Sequence, residues 1–111
     1  MTNEISKSTF TIVPAVDIVE TPHTYVVKLD IPGAQKEKIS AAIENNILNV
    51  SAVVERFNDD QESDTVKEYK REFSLANDVD VSTVDAEYEN GVLQITLKKK
   101  EQYLPKQINI N

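Results

Sequence analysis

Ala86-Glu87-Tyr88-Glu89-Asn90-Gly91-Val92-Leu93 is the stretch that decides how this chain folds. Asn-Gly is the pair that a two-residue type I′ hairpin demands, because both central residues need positive φ angles and these two tolerate them at least cost. The flanks alternate: Val84, Ala86 and Tyr88 fall on one face before the turn, and Leu93, Ile95 and Leu97 on one face after it. That period of two is the mark of half-buried strands. Asn90 and Gly91 are therefore read as the structural turn that pins the register of a hairpin.

The same alternation repeats toward the N-terminus. Val16 and Ile18 form a short run; Tyr25, Val27, Leu29 and Ile31 share one face against Lys28 and Asp30 and stop at Pro32-Gly33. Ile39, Ala41 and Ile43 pair across an Asn45-Asn46 turn with Leu48, Val50, Ala52 and Val54, while Tyr69, Arg71, Phe73 and Leu75 form a further strand. Phe57 to Asp64 is polar and acidic and reads as a solvated loop. No window sustains an apolar stripe at helical spacing. The pattern predicts an all-β fold, an immunoglobulin-like antiparallel β-sandwich of about seven to eight strands. It divides into a short N-terminal arm (1–14), the sandwich domain (15–99) and an extended C-terminal tail (100–111).

Composition narrows the function. With 19 acidic against 12 basic residues the net charge is −7, so the surface repels nucleic-acid phosphates and anionic lipid. The chain has no cysteine, which removes disulfides, thiolate nucleophiles and cysteine-rich zinc sites and fits a reducing, cytoplasmic setting. Met1 to Phe10 carries no apolar run, so neither a signal peptide nor a membrane span is expected.

Catalysis finds little support. The one histidine, His23, sits in a turn beside Pro22, and two glycines cannot build a phosphate cradle. No nucleophile elbow or paired-histidine motif occurs, and the acidic loop Asp59-Asp60-Gln61-Glu62-Ser63-Asp64 lacks the glycine and terminal glutamate of an EF-hand. No catalytic, cofactor or metal residues are expected, and the chain is not read as an enzyme.

Two features point to association instead. Alternation puts Arg71 on the apolar face of its strand, where a lone charge is costly unless paired; it either pairs at an interface, with Asp59, Asp60 or Asp64 as candidate partners, or reaches water at a sheet edge. Ile108-Asn109-Ile110 ends a segment broken by Pro105 and flanked by polar residues. In an extended tail both isoleucines face one way. Burying them contributes roughly 3–6 kcal/mol gross, less the cost of ordering the linker. One such contact is weak, and several together hold an exchangeable assembly through effective concentration.

At this point the chain resembles the small heat-shock proteins, built on the alpha-crystallin domain, over about residues 15 to 110. Ala86 to Leu93 is similar to the family's run of alanine, three variable positions, asparagine, glycine, valine and leucine, and Ile108-Asn109-Ile110 to its terminal isoleucine motif. Leu29-Asp30-Ile31-Pro32-Gly33 resembles the family strand end, and Tyr69 to Phe73 aligns Arg71 with the family arginine of the dimer interface.

The resemblance implies an ATP-independent holdase that binds partly unfolded client proteins and leaves refolding to ATP-driven chaperones, with no cofactor. It implies a tail-accepting or client groove between the strands of Ile39, Ala41 and Ile43 and of Val84, Ala86 and Tyr88, filled by Ile108 and Ile110 of a neighbouring subunit. It also implies dimers through Arg71 and larger oligomers. The arm before the domain is shorter than is usual in the family, which predicts narrower client capture, and the shortened 57–64 loop argues against dimers made by exchanging a loop strand. The alternative, an adaptor of the p23 or CS type docking on one folded partner, shares the sandwich but usually ends in an acidic tail rather than an isoleucine plug.

Overall fold

Apolar residues at every second position become the inward row of two facing sheets. The computed structural model describes residues 6–58, 63–101 and 110. Among them eight strands follow in order: β1 (Ser6–Ile12), β2 (Val16–Glu20), β3 (Thr24–Asp30), β4 (Ile39–Glu44), β5 (Ile47–Asn58), β6 (Ser63–Ser74), β7 (Val79–Glu89) and β8 (Val92–Lys99), with a 3₁₀ turn over Lys36–Lys38. One sheet has the order β1-β6-β5-β4 and the other β2-β3-β8-β7. Every pairing is antiparallel except β1 with β6.

The core lies between the sheets. Val27, Leu29 and Ile31 from the β3 segment, Leu48, Val50 and Ala52 from β5 and Leu93, Ile95 and Leu97 from β8 are buried, joined by Ala34 and Val79. These are the rows that alternation singles out, and Lys28 and Asp30 point outward as expected. Removing an apolar surface of this kind from water, at about 25 cal/mol per Å², is the main drive for closing the two sheets together.

Two tight turns fix register. Asn45 and Asn46 have φ of 53° and 62°, and Asn90 and Gly91 have 52° and 79°, the left-handed pair that a type I′ hairpin requires. The second turn is also anchored from outside. Ile31 N donates to Gly91 O at 2.8 Å, and a Cβ on Gly91 would lie 3.3 Å from Pro32 Cα.

Two expectations are corrected. Phe57, Asn58, Ser63 and Asp64 are not loop: β5 and β6 continue as a ribbon in which Phe57 pairs with Thr65 and Asn58 with Asp64. Such a ribbon can be held by main-chain hydrogen bonds without an apolar row, so polar composition did not betray it. The arm also contributes a strand. β1 runs parallel to β6 from Ser6 opposite Ser63 to Ile12 opposite Tyr69, although Phe10 stays 61% exposed. Backbone pairing, rather than burial, holds that segment.

Candidate peptide-binding groove

Edge strands carry a row of backbone N–H and C=O groups with no partner in the sheet, ready to accept another strand. β4 is the edge of one sheet and β7 the edge of the other. They border the same open side of the sandwich, because the Tyr88 hydroxyl on β7 donates to Ile31 O at 3.1 Å and to Ala34 O at 3.2 Å, just before the turn that leads into β4.

Register shows which faces meet there. Ile39, Ala41 and Ile43 lie opposite Ala52, Val50 and Leu48; Val84, Ala86 and Tyr88 lie opposite Leu97, Ile95 and Leu93. Since those partners are core residues, all six project inward. Ile39, Ile43 and Tyr88 are half-buried against the core, while Ala41, Val84 and Ala86 remain exposed. The arrangement is a strip of small apolar groups beside two free backbone edges. It can take an extended chain by adding a strand, with pockets for every second side chain.

Ile108 lies outside the described residues, and Ile110 is 93% exposed, so Ile110 does not fill the groove of its own chain.

Arg71 lies on the far side of the sandwich. It faces inward opposite Val50, half-buried, with its Nη1 donating to Pro14 O at 3.0 Å and its guanidinium 5.5 Å from the centre of the Phe73 ring. It stands just past the end of the β1 pairing, which stops at Tyr69. Of its candidate partners, Asp59 and Asp60 lie outside the described residues. Asp64 is on β6 itself, seven residues away, which is about 23 Å along a strand and too far to pair within one chain. Beside this region is a cavity of about 380 Å³ lined by residues including Ile18, Tyr25, Phe73 and Leu75.

A polar cluster escaped the sequence. Tyr25 donates to both carboxylate oxygens of Asp78, at 3.0 and 2.9 Å. Lys99 Nζ lies 4.9 Å from the Tyr25 ring centre and 2.7 Å from Glu20 Oε2. The bond to Asp78, burial and the negative charges of Asp78 and Glu20 together push the Tyr25 hydroxyl up to about 12. Glu20, Tyr25 and Lys99 meet through the pairing of β2, β3 and β8, Asp78 joins them from the turn before β7, where Lys100 N donates to Asp78 O at 2.7 Å, and nothing local in the sequence joins Tyr25 to a residue 53 positions on. His23 is exposed in its turn, as expected. Ser82 N and Oγ donate to Asp80 Oδ1, at 3.0 and 2.6 Å, holding that carboxyl below its usual range where β7 slips register between Val79 and Val84. Among the described residues no His, Cys, Asp and Glu group could hold a metal ion, and no helix is long and apolar enough to cross a membrane.

Comparison with known proteins places this geometry. The model of the Hsp20/alpha crystallin family matches residues 17–111. The chain is 34% identical over 103 residues to a 17.4 kDa class III heat shock protein of Arabidopsis thaliana, covering 82% of this chain and 66% of that one. It is 38% identical over 93 residues to an 18 kDa heat shock protein of Clostridium acetobutylicum, covering 77% and 61%. It thus spans somewhat under two thirds of the length of these relatives. Among solved structures, a small heat-shock protein from Xylella fastidiosa superposes with a TM-score of 0.65 at 26% identity, covering 90% of this chain and 97% of that one.

Proposed function

Since the chain belongs to the Hsp20/alpha crystallin family, we propose that it is an ATP-independent holdase, binding partly unfolded proteins and keeping them from aggregating under stress. The observation that carries this reading is the pair of free edges, β4 and β7, with Ala41, Val84 and Ala86 exposed between them. Partly unfolded chains offer extended apolar segments, and a strip of this kind binds them through main-chain hydrogen bonds with little demand on sequence.

The tail closes the account. Ile108 and Ile110 of one subunit occupy the groove of another, covering an aggregation-prone edge when no client is present. Dimers form on the opposite side of the sandwich with Arg71 in support, and tail contacts link them into larger assemblies. The Xylella fastidiosa relative has a distinct high order structure, and we infer assembly of this chain as well. Bound clients pass to ATP-driven chaperones in the cytoplasm. The protein is not an enzyme and needs no cofactor.

The test is light scattering of a heat-labile client without ATP, with the oligomer mass measured in parallel, on the intact chain and on Ile108→Ala/Ile110→Ala. Suppression by the intact chain, with a lower mass for the variant, is the expected result. Failure to suppress aggregation of several clients overturns the holdase reading.

A further inference from the structure

The rim of the groove carries most of its charge on the β7 side. Along β7 the residues that alternate with the inward Val84, Ala86 and Tyr88 are Asp85, Glu87 and Glu89, lying opposite Thr96, Gln94 and Val92 of β8 and all exposed. Neither β7 nor β4 contains a lysine or arginine, and β4 adds Glu44. Among the described residues none of the three β7 carboxylates is in an ion pair, the one such pair being Lys99–Glu20. Lys36 lies beside the row, next to Glu87 and Glu89.

A strand added to the β7 edge places its own outward residues beside that row. Successive outward positions on a strand are about 6.6 Å apart, so the spacing matches across the added pair. Opposite charges directly across two strands attract, and like charges repel. The chain's own tail leaves this opportunity unused: with Ile108 and Ile110 inward, its outward residues are Gln107, Asn109 and Asn111, all neutral.

We propose that the β4–β7 groove prefers extended segments in which aliphatic residues alternate with lysine or arginine on the outward side, and that such segments displace the tail, whose outward residues are neutral. This rests on the holdase reading of the same groove and adds the chemistry of its favoured occupant. The acidic row selects basic clients, and the tail, neutral along its outward residues, is a plug that holds the site only until one arrives.

The experiment measures binding of two labelled peptides to the full chain by fluorescence anisotropy. One is the tail sequence 104–111; the other carries Gln107→Lys and Asn109→Lys. Two cross-strand charge pairs predict about 2- to 30-fold tighter binding of the lysine peptide at low salt, a gap that closes as salt rises. In Asp85→Asn/Glu87→Gln/Glu89→Gln the gap disappears while the tail peptide binds as before. In Asp17→Asn/Asp30→Asn, where carboxylates are removed from the outer surface of β2 and β3, the gap persists. Equal affinities at low salt, or a gap that survives in the triple variant, overturn the charge preference. If neither peptide binds, the groove itself is not a peptide site, and the underlying reading fails with it.

Discussion

Arg71 Nη1 donates a 3.0 Å hydrogen bond to the carbonyl of Pro14, tying the segment between β1 and β2 to a strand 57 residues further on. The bond solves a local problem. A guanidinium on the inward row of β6 needs an acceptor, and the carbonyl of the buried Pro14 supplies one where β1 no longer covers the sheet. The proposed dimer contact falls at this same residue.

Arg71→Ala removes a charge-assisted donor and leaves the Pro14 carbonyl without it, a loss of about 1.5–3 kcal/mol for bonds of this kind. Arg71→Lys keeps the charge but loses the flat guanidinium beside Phe73 and is expected to fall between the two. Urea unfolding at matched protein concentration reads both, with a dimer fraction that drops in the same order.

Tyr25 makes stability depend on alkaline pH. An unfolded tyrosine releases its proton near 10, whereas the folded chain holds this one up to about 12. Between those values the folded state binds the extra proton, so stability falls as pH rises through this window and the full contribution is present below it. The advantage of the intact chain over Tyr25→Phe is expected to shrink from pH 10 to 12 in thermal melts. A constant difference across that range would show that the Asp78 bond contributes nothing through the tyrosine proton.

Gly91→Ala puts a Cβ on a residue with φ of 79° and within 3.3 Å of Pro32 Cα. A left-handed non-glycine residue costs on the order of 1–3 kcal/mol, and here the neighbour is backbone that cannot rotate away. The urea midpoint is expected to fall accordingly, with Gly91→Asn the milder change, since asparagine tolerates this conformation better.

Much of the fold was legible because alternation and Asn-Gly chemistry are local. Val27 and Leu29, Leu48 and Val50, and Ile95 and Leu97 each announce a buried row, and Asn45-Asn46 and Asn90-Gly91 announce their own turns. The β5–β6 ribbon beyond Val54 and the β1 strand were not legible, because main-chain pairing holds them and side-chain composition is silent about it. The inward direction of Ala41 and Ala86 needed register, which sequence leaves open. The Tyr25–Asp78 contact is closed only by sheet topology. Arg71 was half legible: its inward face followed from alternation, whereas its acceptor, a backbone carbonyl, has no side chain to betray it.

The most direct test of the groove is client protection by Ala41→Arg/Ala86→Arg. Both alanines are exposed on the inward rows of β4 and β7, so bulky charged side chains there obstruct the strip without entering the buried core. With melting temperature and circular dichroism matched to the intact chain, light scattering of a heat-labile client without ATP is the readout. The account predicts that the intact chain suppresses aggregation and the variant loses most of that protection. Equal suppression by both proteins would contradict it.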